Sequence, residues 1–193
     1  MSSSRLTTDL QNHLPREPIP TWYFAAVVVR HGDRFLLVQE RKDRSWHLPA
    51  GRVEPGETLA EAAVRETLEE SGVKIRLTGV IRVEHTPGRR DARLRVVFLG
   101  EPRGATTTKQ KPDRESLRAE WVSLAELPKY KLRRRGIEEV IRYVMNGGLA
   151  YPLEVLQEEG RPYPREGRRS GEVGAIGRLR QSLRTVLIGQ QKR

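Results

Sequence analysis

Between Gly51 and Val73 the chain reads GRVEPGETLAEAAVRETLEESGV, and its acidic residues fall at spacings that can do chemistry. Glu66 and Glu70 stand four apart, and Glu69 follows Glu66 by three. On an α-helix these positions share a face, so the three carboxylates can converge on one ion. Carboxylates held that close repel one another unless a hard cation or a basic partner compensates. Mg²⁺ is the economical compensation, because it takes oxygen donors, keeps several waters and bridges phosphates. Arg65, four before Glu69, is placed to hold that carboxylate. The three glutamates alone would also suit a surface acidic helix salt-bridged to nearby arginines. The residues leading in favour a site: Gly51 lets the backbone approach a ligand, and Pro55-Gly56 sets a turn that delivers Glu57.

The elements that must position these groups are legible as patterns. Thr58 and Glu61 have the spacing of a capping box, alanines follow, and Gly72 supplies a stop, which predicts a helix over Thr58–Ser71. Upstream, Trp22–Arg30 and Arg34–Glu40 are β-branched and aromatic runs joined by His31-Gly32-Asp33, a hairpin signal. Trp22–Val29 reads as a buried strand, with Tyr23 and Phe24 expected in the core and a base-stacking pocket as their alternative. Trp46–Gly51 reads as a short extended segment. Strands are expected at Lys74–Glu84, Leu94–Gly100 and Arg118–Val122, with loops at His85–Arg93 and Glu101–Arg114. A turn at Leu124–Leu127 and a helix over Arg134–Met145, stopped by Gly147-Gly148, complete a mixed sheet between helical layers. The Lys129–Arg135 cluster reads as a solvated face flanking that helix, and His47 and His85 have no metal-ligand spacing.

Composition limits the alternatives. The 193 residues contain no cysteine, which excludes a disulfide framework, a thiolate metal site and a cysteine nucleophile. No apolar run approaches the roughly 18 residues of a membrane span, and no basic-then-apolar leader opens the chain, so a cytoplasmic address is expected. Residues 1–21 read as an arm, and residues 147–193 as a basic extension. The net charge of +11 is uneven, with nine basic and two acidic residues from Gly160 to Arg193. Ile176, Leu179, Leu183, Val186 and Leu187 recur there at helical spacing. Such an amphipathic segment can dock on its own domain or on a second subunit of a homodimer, or can meet nucleic acid or acidic lipid.

The Gly51–Val73 stretch resembles the signature box of the Nudix hydrolases, matching nearly every fixed position in order and spacing. The resemblance implies an α/β/α sandwich over residues 22–146. It implies a Mg²⁺ cofactor, with Mn²⁺ as substitute, bound by Glu66, Glu69 and Glu70 with help from Glu57. It implies attack of water on a phosphoanhydride of a nucleoside diphosphate derivative. The general base is then a box glutamate or Glu115, since Glu115–Trp121 resembles the segment before the last strand in some relatives. Arg41, just past the second strand, is a candidate contact for a substrate phosphate. The run LPAGRVEPGE is similar to a variant found in enzymes acting on oxidised guanine nucleoside diphosphates. Pro87 keeps an ADP-ribose pyrophosphatase open, and the basic tail keeps open a box-bearing module that binds nucleotide or RNA. Ala50 and Thr67 depart from the usual box, where a glycine and an aliphatic residue are common.

Overall fold

The computed structural model describes residues 18–162. The expected terminal amphipathic helix lies outside them. Seven strands and two α-helices appear in the order β1 (Thr21–His31), β2 (Arg34–Gln39), β3 (Trp46–His47), β4 (Ala50–Arg52), α1 (Leu59–Ser71), β5 (Ile75–Pro87), β6 (Ala92–Pro102), β7 (Arg118–Ser123) and α2 (Gly136–Met145). The central strand is β1. It runs parallel to β6 over nine residue pairs, from Thr21↔Ala92 to Val29↔Gly100. It also lies antiparallel to β4 and, at its end, to β2 across the expected hairpin. Strand β2 carries β3 and β7, and β5 pairs antiparallel with β6. The mixed sheet is as the patterning predicted.

Alternation along the strands builds two cores, one on each face of the sheet. Ala25, Val27 and Val29 of β1, Leu36 and Val38 of β2, and Val96 and Phe98 of β6 pack with Ala62 and Ala63 of α1. The intervening residues Val28, Phe35, Leu37, Val97 and Val122 pack with Ile137, Ile141 and Val144 of α2. Near-continuous apolar runs in β1 and β2 are therefore required, because both faces are covered. This is the α/β/α sandwich.

Helix α1 begins as its sequence dictates. The Thr58 hydroxyl accepts from the Glu61 N–H at 3.2 Å, while the Glu61 carboxylate accepts from the Thr58 N–H at 2.8 Å. Such a cap contributes about 1 kcal/mol. At the other end Gly72 takes a left-handed φ of 74° and its N–H donates to the Leu68 carbonyl, a conformation that favours glycine. Thr67, the departure inside the helix, is fully buried, and its hydroxyl donates to the Ala63 carbonyl at 2.8 Å. The hydroxyl is thus satisfied, and the core tolerates it.

Two strands are longer than their patterns suggested. β5 and β6 extend through most of the expected His85–Arg93 loop, leaving only a tight connection at 88–91. The pairing continues there through polar residues such as Thr86↔Arg93, which no apolar alternation marks. Past α2, Tyr151 exchanges two backbone hydrogen bonds of 2.8 Å with Val80, and Leu153 and Leu156 pack against the α1-side core. The compact unit ends at Leu156. No helix among the described residues is long and apolar enough to cross a membrane.

Candidate active site

The capped helix α1 presents Arg65, Glu66, Glu69 and Glu70 toward β4 and the turn before the helix. Arg65 is the organiser. Its Nε and Nη2 donate to the two carboxylate oxygens of Glu57 at 2.8 and 2.9 Å, and its Nη1 reaches Glu66 at 2.9 Å and Glu69 at 3.1 Å. Nη2 also donates to the Arg52 carbonyl at 2.9 Å, which ties the helix to β4. One planar guanidinium thus fixes three carboxylates and a strand, a task its rigid fork suits and a lysine's point charge does not. Glu57 is held well below the usual carboxylate range, first by the hydrogen bonds from Arg65.

Glu70 is buried, and its Oε2 accepts from the Ala50 N–H at 2.9 Å. The departure at Ala50 is harmless for this contact, because the backbone amide makes it. Burial, with added repulsion from Glu66, Glu40 and Glu115, pushes the Glu70 carboxyl up to about 8. Glu66 is also raised, chiefly by burial, with Glu69 and Glu115 adding to it against the opposing Arg65. Gly51 explains how Glu66 fits: a Cβ there would fall on the Glu66 carboxylate itself. That close approach is the reason this position is glycine.

A second ring of contacts anchors the C-terminal end of α1. Ser116 is buried, and its hydroxyl donates to the Glu70 carbonyl at 2.6 Å. Lys109 Nζ donates to the Glu69 carbonyl, to Asp113 at 2.6 Å and to Ser116 at 3.2 Å. Asp113 accepts in turn from the N–H groups of Glu115 and Ser116 at 2.9 and 3.1 Å. The 103–117 loop is thereby clamped to the helix that carries the glutamates. Glu115 stands on that loop close enough to repel Glu66 and Glu70, and pairs with Arg114 at 2.8 Å. Arg41 donates from Nη1 to the Asp113 carbonyl and is tied to the same loop. Lys109, Asp113 and Ser116 were not singled out from the sequence, since loop polar residues carry no spacing signal. Glu40 was also missed, and it faces Glu70 from the end of β2.

Among the described residues no three acidic or histidine side chains close on a common point. Arg65 spreads Glu57, Glu66 and Glu69, while Glu70 turns to the Ala50 amide. In kind, however, the donors fit a hard divalent cation. They are all oxygens, they gather beside the space that Gly51 leaves, and Glu66 and Glu70 resist ionisation without added positive charge.

Beside Gly51, on the α2 face, lies a cleft of about 440 Å³. Ala26, Val97 and Ala50 form its floor, with Arg52, Phe24, Arg95 and Glu84 as the next row across β4, β1, β6 and β5. One expectation is corrected here. Tyr23 is exposed and Phe24 lines the cleft, so neither packs in the core, and for Phe24 the pocket alternative is the one the structure matches. Arg133 and Arg134 are exposed, as a solvated face would be, and they also line the cleft.

Comparison with known proteins places this geometry. The NUDIX domain profile matches residues 20–144. The human 8-oxo-dGDP phosphatase NUDT18 is 42% identical over 107 residues, which cover 53% of this chain and 32% of that protein. The match thus spans about a third of the human relative's length. The phosphatase NudJ of Shigella boydii is 35% identical over 147 residues, 72% of this chain and 92% of that one. A solved NUDIX hydrolase from Nitrosomonas europaea superposes with a TM-score of 0.61 at 28% identity, covering 72% of this chain and 97% of its own. With the profile spanning all seven strands and all but the last residue of α2, and with the glutamates of the box gathered by Arg65, the chain belongs to the Nudix family of hydrolases.

Proposed function

We propose that this protein hydrolyses a phosphoanhydride bond of a nucleoside diphosphate derivative, with an oxidised guanine nucleotide as the leading candidate. One observation carries the reading: a partly buried cluster of glutamates, ordered by Arg65, lies against Gly51, which also lines an arginine-rich cleft floored by apolar residues beside Phe24. The likeness to the human 8-oxo-dGDP phosphatase supports the choice of base.

Glu66, Glu69 and Glu70 are the residues that would hold Mg²⁺ or Mn²⁺, with Glu57 supporting through Arg65. Bound there, the cation would offset phosphate charge and lower the pKa of an attacking water. The chain's own residues do the rest. Arg65 keeps the carboxylates in place, and Lys109 and Ser116 hold the helix end that bears Glu69 and Glu70. Arg41 gives one donor to Asp113 and presents its remaining donors to a phosphate. Glu115 accepts the proton of the attacking water. The water oxygen bonds to phosphorus, the bridging P–O bond breaks, and a nucleoside diphosphate yields the monophosphate and inorganic phosphate. No covalent intermediate is needed, because positioning and charge compensation supply the rate.

The test is a panel: oxidised and normal guanosine diphosphates, ADP-ribose and 5′-phosphorylated RNA, each with Mg²⁺, with products separated and quantified. Preferential release of monophosphate from the oxidised diphosphate is the expected outcome. Cleavage confined to ADP-ribose would reassign the substrate, and binding without any cleavage would make the protein a nucleotide-binding module. Glu115→Gln should lower turnover and shift its pH profile. A variant with unchanged turnover across pH removes Glu115 from the mechanism.

A further inference from the structure

The cleft on the α2 face carries more positive charge than a diphosphate at its Gly51 edge can use. Arg52, Arg82, Arg93, Arg95, Arg133 and Arg134 line it against only Glu84 and Glu139. Arg95 pairs with Glu84 at 2.6 Å, and Arg82 lies 3.8 Å from that same carboxylate. Arg133 reaches Glu40 at 3.3 Å. Arg93 lies over the Phe24 ring at 4.3 Å, and Arg52 over Trp22 at 4.6 Å. Arg134 is surrounded differently. Although Arg134 is exposed, partial desolvation, then the charges of Arg95, Arg93 and Arg133, weaken its hold on its proton, with Glu84 opposing. Like charges so gathered call for an anion between them.

Arg134 leads directly into α2, Arg135 at the cap position makes no side-chain hydrogen bond to the helix, and Gly136 lines the cleft. The Ile137 and Glu138 amides are already taken up by the Arg134 and Arg135 carbonyls at 3.2 Å, so the guanidiniums are left to meet phosphate oxygens. Glu138 is drawn off to Arg142 at 2.7 Å, while Glu139 remains on the wall as a competing carboxylate. The strand register sets the span. Arg52 pairs with Phe24 and Phe24 with Arg95, so Arg95 stands two strand spacings, about 10 Å, from the β4 edge. A single diphosphate cannot serve both ends, whereas a nucleoside can lie between them on Phe24.

We propose that Arg93, Arg95 and Arg134 bind a second phosphate of the substrate: a phosphomonoester on the nucleotide, remote from the anhydride that is cut. This rests on the cleft being the substrate's site, and deepens that reading to nucleotides phosphorylated at both ends.

Two readouts test it on the full chain. Calorimetry in chelator compares guanosine 3′-monophosphate with guanosine and needs no catalysis. The 3′-phosphate should bind at least tenfold tighter, and Arg134→Gln should erase most of that difference while Arg134→Lys restores part of it. With Mg²⁺, guanosine 3′-phosphate-5′-diphosphate should then exceed guanosine 5′-diphosphate at least tenfold in kcat/KM, a margin that shrinks in Arg134→Gln. Equal values for the two diphosphates would overturn the subsite and leave the hydrolase reading intact. Preference for a 5′-diphosphorylated RNA over the doubly phosphorylated mononucleotide would overturn the assignment to a small nucleotide. Tight chelator-insensitive binding of the 3′-phosphate with no turnover of any diphosphate would support the subsite and refute the hydrolase reading.

Discussion

On the α1 face one guanidinium, Arg65, answers three carboxylates at 2.8–3.1 Å, and a fourth, Glu70, is buried on a backbone amide. On the α2 face six arginines line a cleft with two glutamates, and several rest on aromatic rings or on one another's repulsion. Both regions concentrate charge of one sign beside the same strand, β4. They differ in how tightly each group is held. The carboxylates are locked by partners from the helix, the turn and the strand, so their geometry is set before any ligand arrives, as bond-breaking chemistry requires. The arginines sit on exposed strand ends and on a helix entry, where long side chains can adjust to a ligand. On the proposed reading, chemistry belongs to the rigid face and recognition to the adaptable one.

The sharpest way to break that division is to neutralise the rigid side. Glu69→Gln and Glu70→Gln should each lower kcat by roughly a thousandfold, with melting temperature and circular dichroism near wild type. Chelation should abolish turnover, and excess Mg²⁺ or Mn²⁺ should restore it. Unchanged turnover in both variants would remove the carboxylates from the chemistry. Gly51→Ala probes the same side by shape. Its Cβ displaces the flexible end of Glu66 rather than backbone, so the fold should survive while kcat falls about a hundredfold. An active Gly51→Ala would show that the position of Glu66 is not critical.

Arg65→Met tests the organiser. Three partners lose their cation in a site where Arg65 is about a quarter exposed. A loss of about 2 kcal/mol in denaturant unfolding is expected, less than a fully buried pair would cost, together with a kcat reduced at least tenfold. Wild-type stability in that variant would mean the ion pairs are incidental.

The smallest effect concerns the clamp behind the site. Lys109, with help from the Ser116 and Glu115 N–H groups, holds Asp113 at about 2, below its ordinary 3.8. A depressed carboxylate stabilises the fold above its unfolded value, and that contribution disappears as pH falls through about 2. Asp113→Asn should therefore cost under about 1 kcal/mol at neutral pH, given a side chain nearly half exposed. It should also flatten the acid dependence of stability between about pH 4 and 2. An acid transition identical to wild type would show that Lys109 acts on the helix without Asp113.

Residue order alone determined the helix with both its caps, the hairpin, the mixed sheet and the spacing that brings the carboxylates of α1 together. Capping boxes, stop glycines and i, i+4 spacings are local, and their physics is complete within about fifteen residues of chain. Only the tertiary structure decided that Phe24 leaves the core for the cleft, and that the exposed Arg133 and Arg134 line that same cleft. It also placed Lys109 and Ser116 on the backbone of α1. Those outcomes depend on which strand lies beside which and on where a loop returns, contacts made across forty or more positions, and a charge or aromatic ring carries no mark in sequence of the partner it will meet.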